Sequence, residues 1–309
     1  MTEVLALDIG GTKLAAGVVG RDGTVHGHRV VPTPVTDDPE VVFEAVLDLL
    51  TPFDAPVIGV GSAGPLDPFG GTVSPLNTPA WREFPLVKRL TTALGRPVVL
   101  AGDGHCFALA EHWLGAGRGS AALLGMVVST GVGGGLILSG ELILGPSGNA
   151  GHIGHAIVDP DGPACACGSR GCVEAYSSGP SLVRWAVSNG WSPVVAPPSA
   201  APPAAPDRPA PTARDLAASA AAGDPVALAA FDQGAKALAA GILSAAAIVD
   251  LDTVVIGGGV AASGPLLFDP LRDWIGRLAG LDFLRGLRVL PAELTEAGVI
   301  GAAALAFRR

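Results

Sequence analysis

The chain has 309 residues, a formal net charge of −9 and a 49% hydrophobic content with few aromatics, enough for two domains that each bury a core. It shows no Lys/Arg cluster of the kind that marks a nucleic-acid footprint, and no apolar run of the ~18 residues a membrane span needs. No export signal is visible, because Asp8 breaks the apolar run after Met1-Thr2-Glu3, so a cytoplasmic location is the expectation.

In chain order, VLALDIGGTKLAAGVVGRDGTVHGHRV reads as strand, glycine turn, strand, turn, strand, with Arg21-Asp22-Gly23-Thr24 as a hairpin signal. PEVVFEAVLDLL reads as a helix with acids near its start. VIGVGSAG is a strand, followed by a loop rich in Pro and Gly and a short helix around FPLVKRL. RPVVLAGDG reads as a strand ending at Asp103, and HCFALAEHWLG as the helix after it. ALLGMVVSTGVGGGLILSGELI then repeats the opening form, which predicts a duplicated α/β fold with a cleft between two lobes.

Residues 193–212, SPVVAPPSAAPPAAPDRPAP, are nearly all Pro and Ala. That composition gives a semi-extended segment without a core, read as a surface loop of the second lobe, with an interdomain linker as the other reading. PVALAAFDQGAKALAAGILSAAAIVD is a long helix of small residues. LDTVVIGGGV is a buried strand ending in glycines, and AGVIGAAALAFRR a final helix.

Three glycine turns carry the first chemistry. In Asp8-Ile9-Gly10-Gly11-Thr12-Lys13, glycines let backbone amides approach a phosphate and Thr12 can donate a hydroxyl. An ordinary hairpin turn would explain the glycines but not Asp8 followed by Thr and Lys. Ser129-Thr130-Gly131-Val132-Gly133-Gly134-Gly135 holds more glycines than a plain turn needs and reads as a second phosphate cradle. Ile256-Gly257-Gly258-Gly259-Val260 offers bare backbone to a base or ribose. Together they predict a nucleotide cleft. Asp103 sits where α/β sites collect and can accept a proton from a substrate hydroxyl, or simply cap the following helix.

Cys165, Cys167 and Cys172 fall within eight residues, ten and more after His155, while Cys106 is alone. Three thiolates and an imidazole match structural zinc, with three free thiols as the other reading. Gly168 and Gly171 let the chain curl around a metal, and Glu174 follows directly.

These motifs together resemble the ROK family of repressors, open-reading-frame kinases and sugar kinases, within the actin-like ATPase (ribonuclease H-like) fold. The resemblance covers nearly the whole chain: DIGGTK, GVGSAGPLD, NTPAW, STGVGGG, GH…CACGSRGCVE and the terminal GAAALA. It implies an α/β fold with two lobes around a central cleft, residues 1–116 plus 297–309 and residues 117–296. It implies transfer of the γ-phosphate of ATP to a sugar hydroxyl, usually on C6, with Asp103 as base and Asp8 helping to place Mg²⁺. Gly10, Gly11, Thr12, Lys13, Thr130, Gly131, Gly133, Gly257 and Gly258 would line the nucleotide. Gly64, Asn77, Asp103, His152, His155 and Glu174 would hold the sugar, and His155, Cys165, Cys167 and Cys172 a structural zinc. A homodimer is implied as well.

Two departures bear on the substrate. Family sugar kinases commonly carry Asn-Asp where this chain has Gly102-Asp103, so one side-chain contact is lost or supplied elsewhere. His105 is a nearby candidate, although a solvated histidine at a helix start is the plainer expectation. The common AGExGH reads here Ala150-Gly151-His152-Ile153-Gly154-His155. A neutral imidazole offers a donor as well as an acceptor, which suits an acetamido carbonyl on C2.

This form, with FPLVKRL and STGVGGG, resembles the bacterial N-acetylmannosamine kinases of sialic acid catabolism; a glucokinase or other hexose kinase is the alternative. His152 as a replacement zinc ligand, or as a polar residue with no ligand, stays open. A sugar-sensing repressor would need a helix-turn-helix ahead of the first strand, and a non-catalytic sugar binder would not need Asp103 with the phosphate loops.

Overall fold

A computed structural model describes residues 1–193 and 210–309 of the protein. Most of the Pro/Ala-rich stretch, and so the expectation of a surface loop there, lies outside the described residues.

The first sheet runs β3-β2-β1-β4-β7 and is built from β1 (Glu3–Ile9), β2 (Lys13–Gly20), β3 (Val25–Pro32), β4 (Ile58–Ser62) and β7 (Val98–Gly102). Between its strands lie α1 (Pro39–Leu50), a small ribbon of β5 (Leu66–Asp67) and β6 (Thr72–Val73), and α2 (Leu86–Leu94). The β1–β2 and β2–β3 pairs are antiparallel, and the β1–β4 and β4–β7 pairs parallel.

α3 (Asp103–Trp113) leads to a second sheet of β8 (Ala122–Val128), β9 (Val132–Leu138), β10 (Glu141–Ile143), β11 (Thr253–Gly257) and β12 (Arg288–Pro291). Its order, β10-β9-β8-β11-β12, repeats the pattern of the first sheet, antiparallel pairs then parallel ones. The duplication read from the two glycine-turned hairpins is thus a duplication of whole sheets.

The second unit also holds α4 (Val173–Ser177), α5 (Gly179–Ser188), α6 (Ala213–Ala221), α7 (Pro225–Val249), α8 (Pro265–Leu278) and α9 (Asp282–Arg285), and the chain ends in α10 (Ala297–Phe307).

Strand alternation sorts side chains into layers. Leu5, Leu7 and Ile9 of β1 pack with Val42, Phe43, Val46, Leu86 and Leu90 from α1 and α2. Val4 and Ala6, on the other face, pack with Cys106 of α3 and Ala302, Ala303 and Ala306 of α10. Those same two helices turn Phe107, Ala108, Leu109, Ile300 and Ala304 toward Leu123, Ile137 and Val255 of the second sheet. The far face of that sheet is covered by α5, α6, α7 and α8.

α3 and α10 therefore form one shared layer between two sheets. That position demands small residues: a methyl group on Gly301 would overlap the Cys106 carbonyl, and one on Gly59 the Ala302 carbonyl. The chain leaves this shared layer for the second sheet after α3 and returns to it at α10.

α7 is long and apolar enough to cross a bilayer by length and composition, but much of it is buried in the protein, with Phe231, Leu238 and Ile242 in the core of the second unit. Asp224 caps its start, accepting from the N–H groups of Val226 and Ala227.

Candidate active site

The first glycine turn closes β1 onto β2. Gly10 N–H donates to the Lys13 carbonyl at 3.0 Å, and Thr33 Oγ1 donates to the Gly10 carbonyl at 2.7 Å. Thr12 and Lys13 face outward. Gly11 is pressed against Asn77: a methyl group there would stand 2.5 Å from Asn77 Cβ. Two residues 66 positions apart, expected to bind nucleotide and sugar respectively, thus meet at one corner.

Asp8 lies one turn back, under the start of α10. A methyl group on Gly298 would overlap its carboxylate, so a larger residue there would push the Asp8 side chain aside. Burial, with the charge of Asp103 as a second cause, pushes the Asp8 carboxyl up to about 6, against a smaller opposing pull from Lys13. Cys106 is fully buried close by; burial first, then the charges of Asp8 and Asp103, pushes its thiol well above the ordinary range, so it is an inert part of the packing.

Asp103 is not the last residue of a strand. β7 ends at Gly102, whose extended backbone (φ −67°, ψ 153°) caps α3, and Asp103 is the first helical residue. Its Oδ1 accepts from the adjacent Gly104 N–H at 2.7 Å. The side chain is exposed yet surrounded by the protein, and that surrounding protein raises its pKa, opposed by the Gly104 hydrogen bond.

His105 departs from the expectation of a solvated residue: it is 2% exposed. Gly102 N–H donates to its Nδ1 at 3.3 Å, so Nε2 carries the proton and donates to the Ala150 carbonyl at 2.6 Å. Burial lowers its pKa and favours this neutral form, opposed by the Ala150 contact.

The second glycine turn serves packing as much as ligand approach. A methyl group on Gly104 would lie 2.6 Å from the Gly134 carbonyl oxygen, and one on Gly135 2.7 Å from that of Gly104. Gly134 and Gly135 therefore let the start of α3 dock on β9. Gly133, by contrast, has nothing within reach, and Thr130 faces open space. Gly131 sits against Glu174, whose Oε2 accepts from Val132 N–H at 2.8 Å. Glu174, expected at the sugar, is thereby also tied to this turn.

Two cavities border the turn, one at residues 129–130 and one at residues 133–134. A small one is lined by Gly64, Gly102, Asp103, Gly133, Asn149 and His152 among others. A larger one, about 1270 Å³, is lined by residues that include Ser129, Thr130, Arg184, Arg214, Gly259 and Val260. At the third glycine stretch, Gly257 packs on Phe107 and Gly258 (φ 97°) on Val128, so the lining residue is Gly259. Arg184 and Arg214 flank the Pro/Ala-rich stretch and carried no spacing signal in the sequence.

His152 faces Gly64 across the small cavity: a methyl group on that glycine would be 3.6 Å from its Cε1. Burial, then the neighbouring His105 and His155, lowers its pKa, with Glu174 pulling the other way.

His155 turns its Nδ1 toward the cysteines. Its Nδ1 is 3.9 Å from Cys165 Sγ, Cys167 and Cys172 Sγ are 3.7 Å apart, and all four ligand atoms lie within 4.8 Å of one another. A tetrahedral site with Zn–S of about 2.3 Å has S–S edges near 3.8 Å, so the cluster fits structural zinc. Gly168 (φ 92°) and Gly171 (φ 63°) make the turns of this loop, and Cys172 starts α4, which carries Glu174. His152 is not part of the cluster.

The ROK family model matches residues 4–309. The chain is 34% identical to a glucokinase of Thermotoga maritima over 98% of its length and 96% of the relative's. It is 36% identical to an N-acetylmannosamine kinase of Shigella flexneri over 83% of each chain. The solved structure of a ROK family glucokinase from Streptomyces griseus, in complex with glucose and AMPPNP, superposes with a TM-score of 0.80 at 32% identity, covering 99% of this chain and 100% of that one. The chain belongs to the ROK family, has the actin-like ATPase fold, and within that family its similarity runs to sugar kinases.

Proposed function

We propose that the chain is an ATP-dependent kinase that phosphorylates the C6 hydroxyl of N-acetylmannosamine in sialic acid catabolism, acting in the cytoplasm between lobes of residues 1–116 with 297–309 and 117–296. The observation that carries this reading is the placement of Asp103 and His152 on one small cavity, one glycine turn away from a cavity of about 1270 Å³. The small cavity, about 20 Å³, would mark the Asp103 wall of the sugar site, which opens further to take a hexose, and the large one would hold the nucleotide, so acceptor hydroxyl and γ-phosphate would meet at residues 129–134.

In this mechanism the C6 oxygen attacks the γ-phosphorus, its proton passes to Asp103, and ADP departs. A raised carboxylate pKa suits a general base working near neutral pH, and such help is worth ~10²–10⁴ in rate. Mg²⁺, bound with ATP and held in part by Asp8, would neutralise phosphate charge. Gly10, Gly11, Thr12, Lys13, Thr130, Gly131 and Gly133 would approach the phosphates, with Gly259 nearer the base, where Gly257 and Gly258 are taken up by packing. Zinc in the His155, Cys165, Cys167 and Cys172 cluster would fix the loop that aims His155 Nε2 and Glu174 at the sugar.

His152 supports the acetamido sugar. Kept neutral by its surroundings, it can donate to the acetamido carbonyl where an ionised glutamate can only accept. A glucokinase is the second reading, favoured by the Thermotoga maritima relative that matches nearly the whole chain. A coupled ADP-release assay with glucose, mannose, N-acetylglucosamine and N-acetylmannosamine decides between them. The expected result is the highest kcat/KM for N-acetylmannosamine; a clear preference for glucose selects the second reading, and no turnover of any sugar rejects both.

A further inference from the structure

Gly102 leaves the small cavity without a side-chain contact on one wall, and a second residue lining it, Asn149, is unusual in a specific way. Its Nδ2 has two hydrogens, and both are used: one donates to the Ser147 carbonyl at 2.7 Å and one to the Leu66 carbonyl at 3.2 Å. Those two acceptors fix the orientation of the amide. The atom left over is Oδ1, which is fully buried and has no hydrogen-bond partner among the described residues. Leaving a buried acceptor unpaired is costly, so it calls for an explanation in a residue at a binding cavity.

The other side chains around the cavity sharpen the point. Gly64, Gly102, Gly133 and Gly134 contribute backbone only, and both nitrogens of His105 are occupied. Asp103 and His152 are the remaining polar side chains that line it. Leu66 belongs to the first-sheet half of the chain and Asn149 to the second, so the amide nitrogen joins the two halves. The amide oxygen is an acceptor held in place before any ligand arrives.

We propose that Asn149 Oδ1 accepts a hydrogen bond from one donor on the sugar ring other than the C6 hydroxyl, a secondary hydroxyl or the amide N–H of an acetamido group, and so supplies the contact that Gly102 lacks. Asn149 is a specificity residue: it favours sugars that present a donor at that place and rejects those that do not. This assignment rests on the sugar-kinase reading.

The test pairs Asn149→Ala with substrate analogues. The best sugar of the wild-type protein is compared with its 1-, 2-, 3- and 4-deoxy forms, and kcat/KM is measured for both proteins on each. With one hydrogen bond at stake, N149A should lose about tenfold on every analogue that keeps the donor. On the single analogue that lacks it, wild type and N149A should differ by no more than the common effect of loosening the loop from Leu66. An equal loss on all analogues would overturn the assignment and leave Asn149 as a loop anchor only.

Asn149→Ser, which is shorter and too small to span the same distance, repeats the cycle if the alanine variant unfolds. Calorimetric binding of the same sugars separates this assignment from the kinase reading. If wild type turns over no sugar but binds one, a loss confined to one analogue still supports Asn149 while the kinase reading fails. If it binds none, both fail.

Discussion

His105 Nε2 donates to the Ala150 carbonyl at 2.6 Å while its Nδ1 accepts the Gly102 N–H at 3.3 Å, so one buried imidazole joins the turn ahead of Asp103 to the loop ahead of His152. The two residues proposed to act on the sugar are thereby held at a fixed separation by a third that need not touch it. An asparagine at position 102 would crowd this ring, because a Cβ there already stands 3.2 Å from Nδ1. Gly102 and His105 are best understood as a pair.

His105→Ala should lower kcat/KM for the sugar by about tenfold or more, the cost of unpairing two buried backbone groups, while KM for ATP changes little. Steady-state kinetics with each substrate varied in turn checks this. A variant with a lower melting temperature but unchanged sugar kinetics would mean the imidazole is only a fold element.

Asp8 should leave a signature in stability. Its carboxyl is raised to about 6 in the folded protein against 3.8 as reference. The folded state then holds its proton more tightly than the unfolded one, so the stability from that proton is present below pH 4 and lost as pH rises through 6. At about 1.4 kcal/mol per pKa unit the cost at pH 7.5 is at most about 3 kcal/mol. Asp8→Asn should therefore melt higher than wild type at pH 7.5, with the gap closing toward pH 5, and should lose turnover. Thermal unfolding across that pH range measures it; a gap independent of pH would contradict the account.

Zinc should be present at about one per chain in protein purified without chelator, by elemental analysis. Removing it should lower the melting temperature and weaken sugar binding together, because Glu174 and His155 hang on the same loop. Metal-free protein with full stability would undo the cysteine argument.

The sequence was most informative where chemistry and backbone geometry coincide. CACGSRGC was readable because metal spacing and positive-φ glycines point the same way; the four side chains come together in a geometry compatible with zinc, and Gly168 and Gly171 take positive φ. The repeated hairpins announced the duplicated sheet.

Glycines were ambiguous. Gly134 and Gly135 read as a phosphate cradle, yet they make room for the start of α3, and a one-dimensional pattern does not separate a ligand's approach from a helix's. His105 and Asn149 were illegible as partners, since their contacts with Ala150 and Leu66 span 45 and 83 residues. The stretch from 265 to 291 gave no clear reading, because Pro270 inside α8 and flanking glycines mask the helix.

Asp103→Asn tests the central claim most directly. The amide keeps an acceptor for the Gly104 N–H, so the start of α3 should hold its shape while the proton acceptor is lost. Turnover should fall ~10²–10⁴-fold with calorimetric sugar affinity close to wild type. Near-normal turnover in that variant would contradict the account and leave Asp103 as a helix-start residue alone.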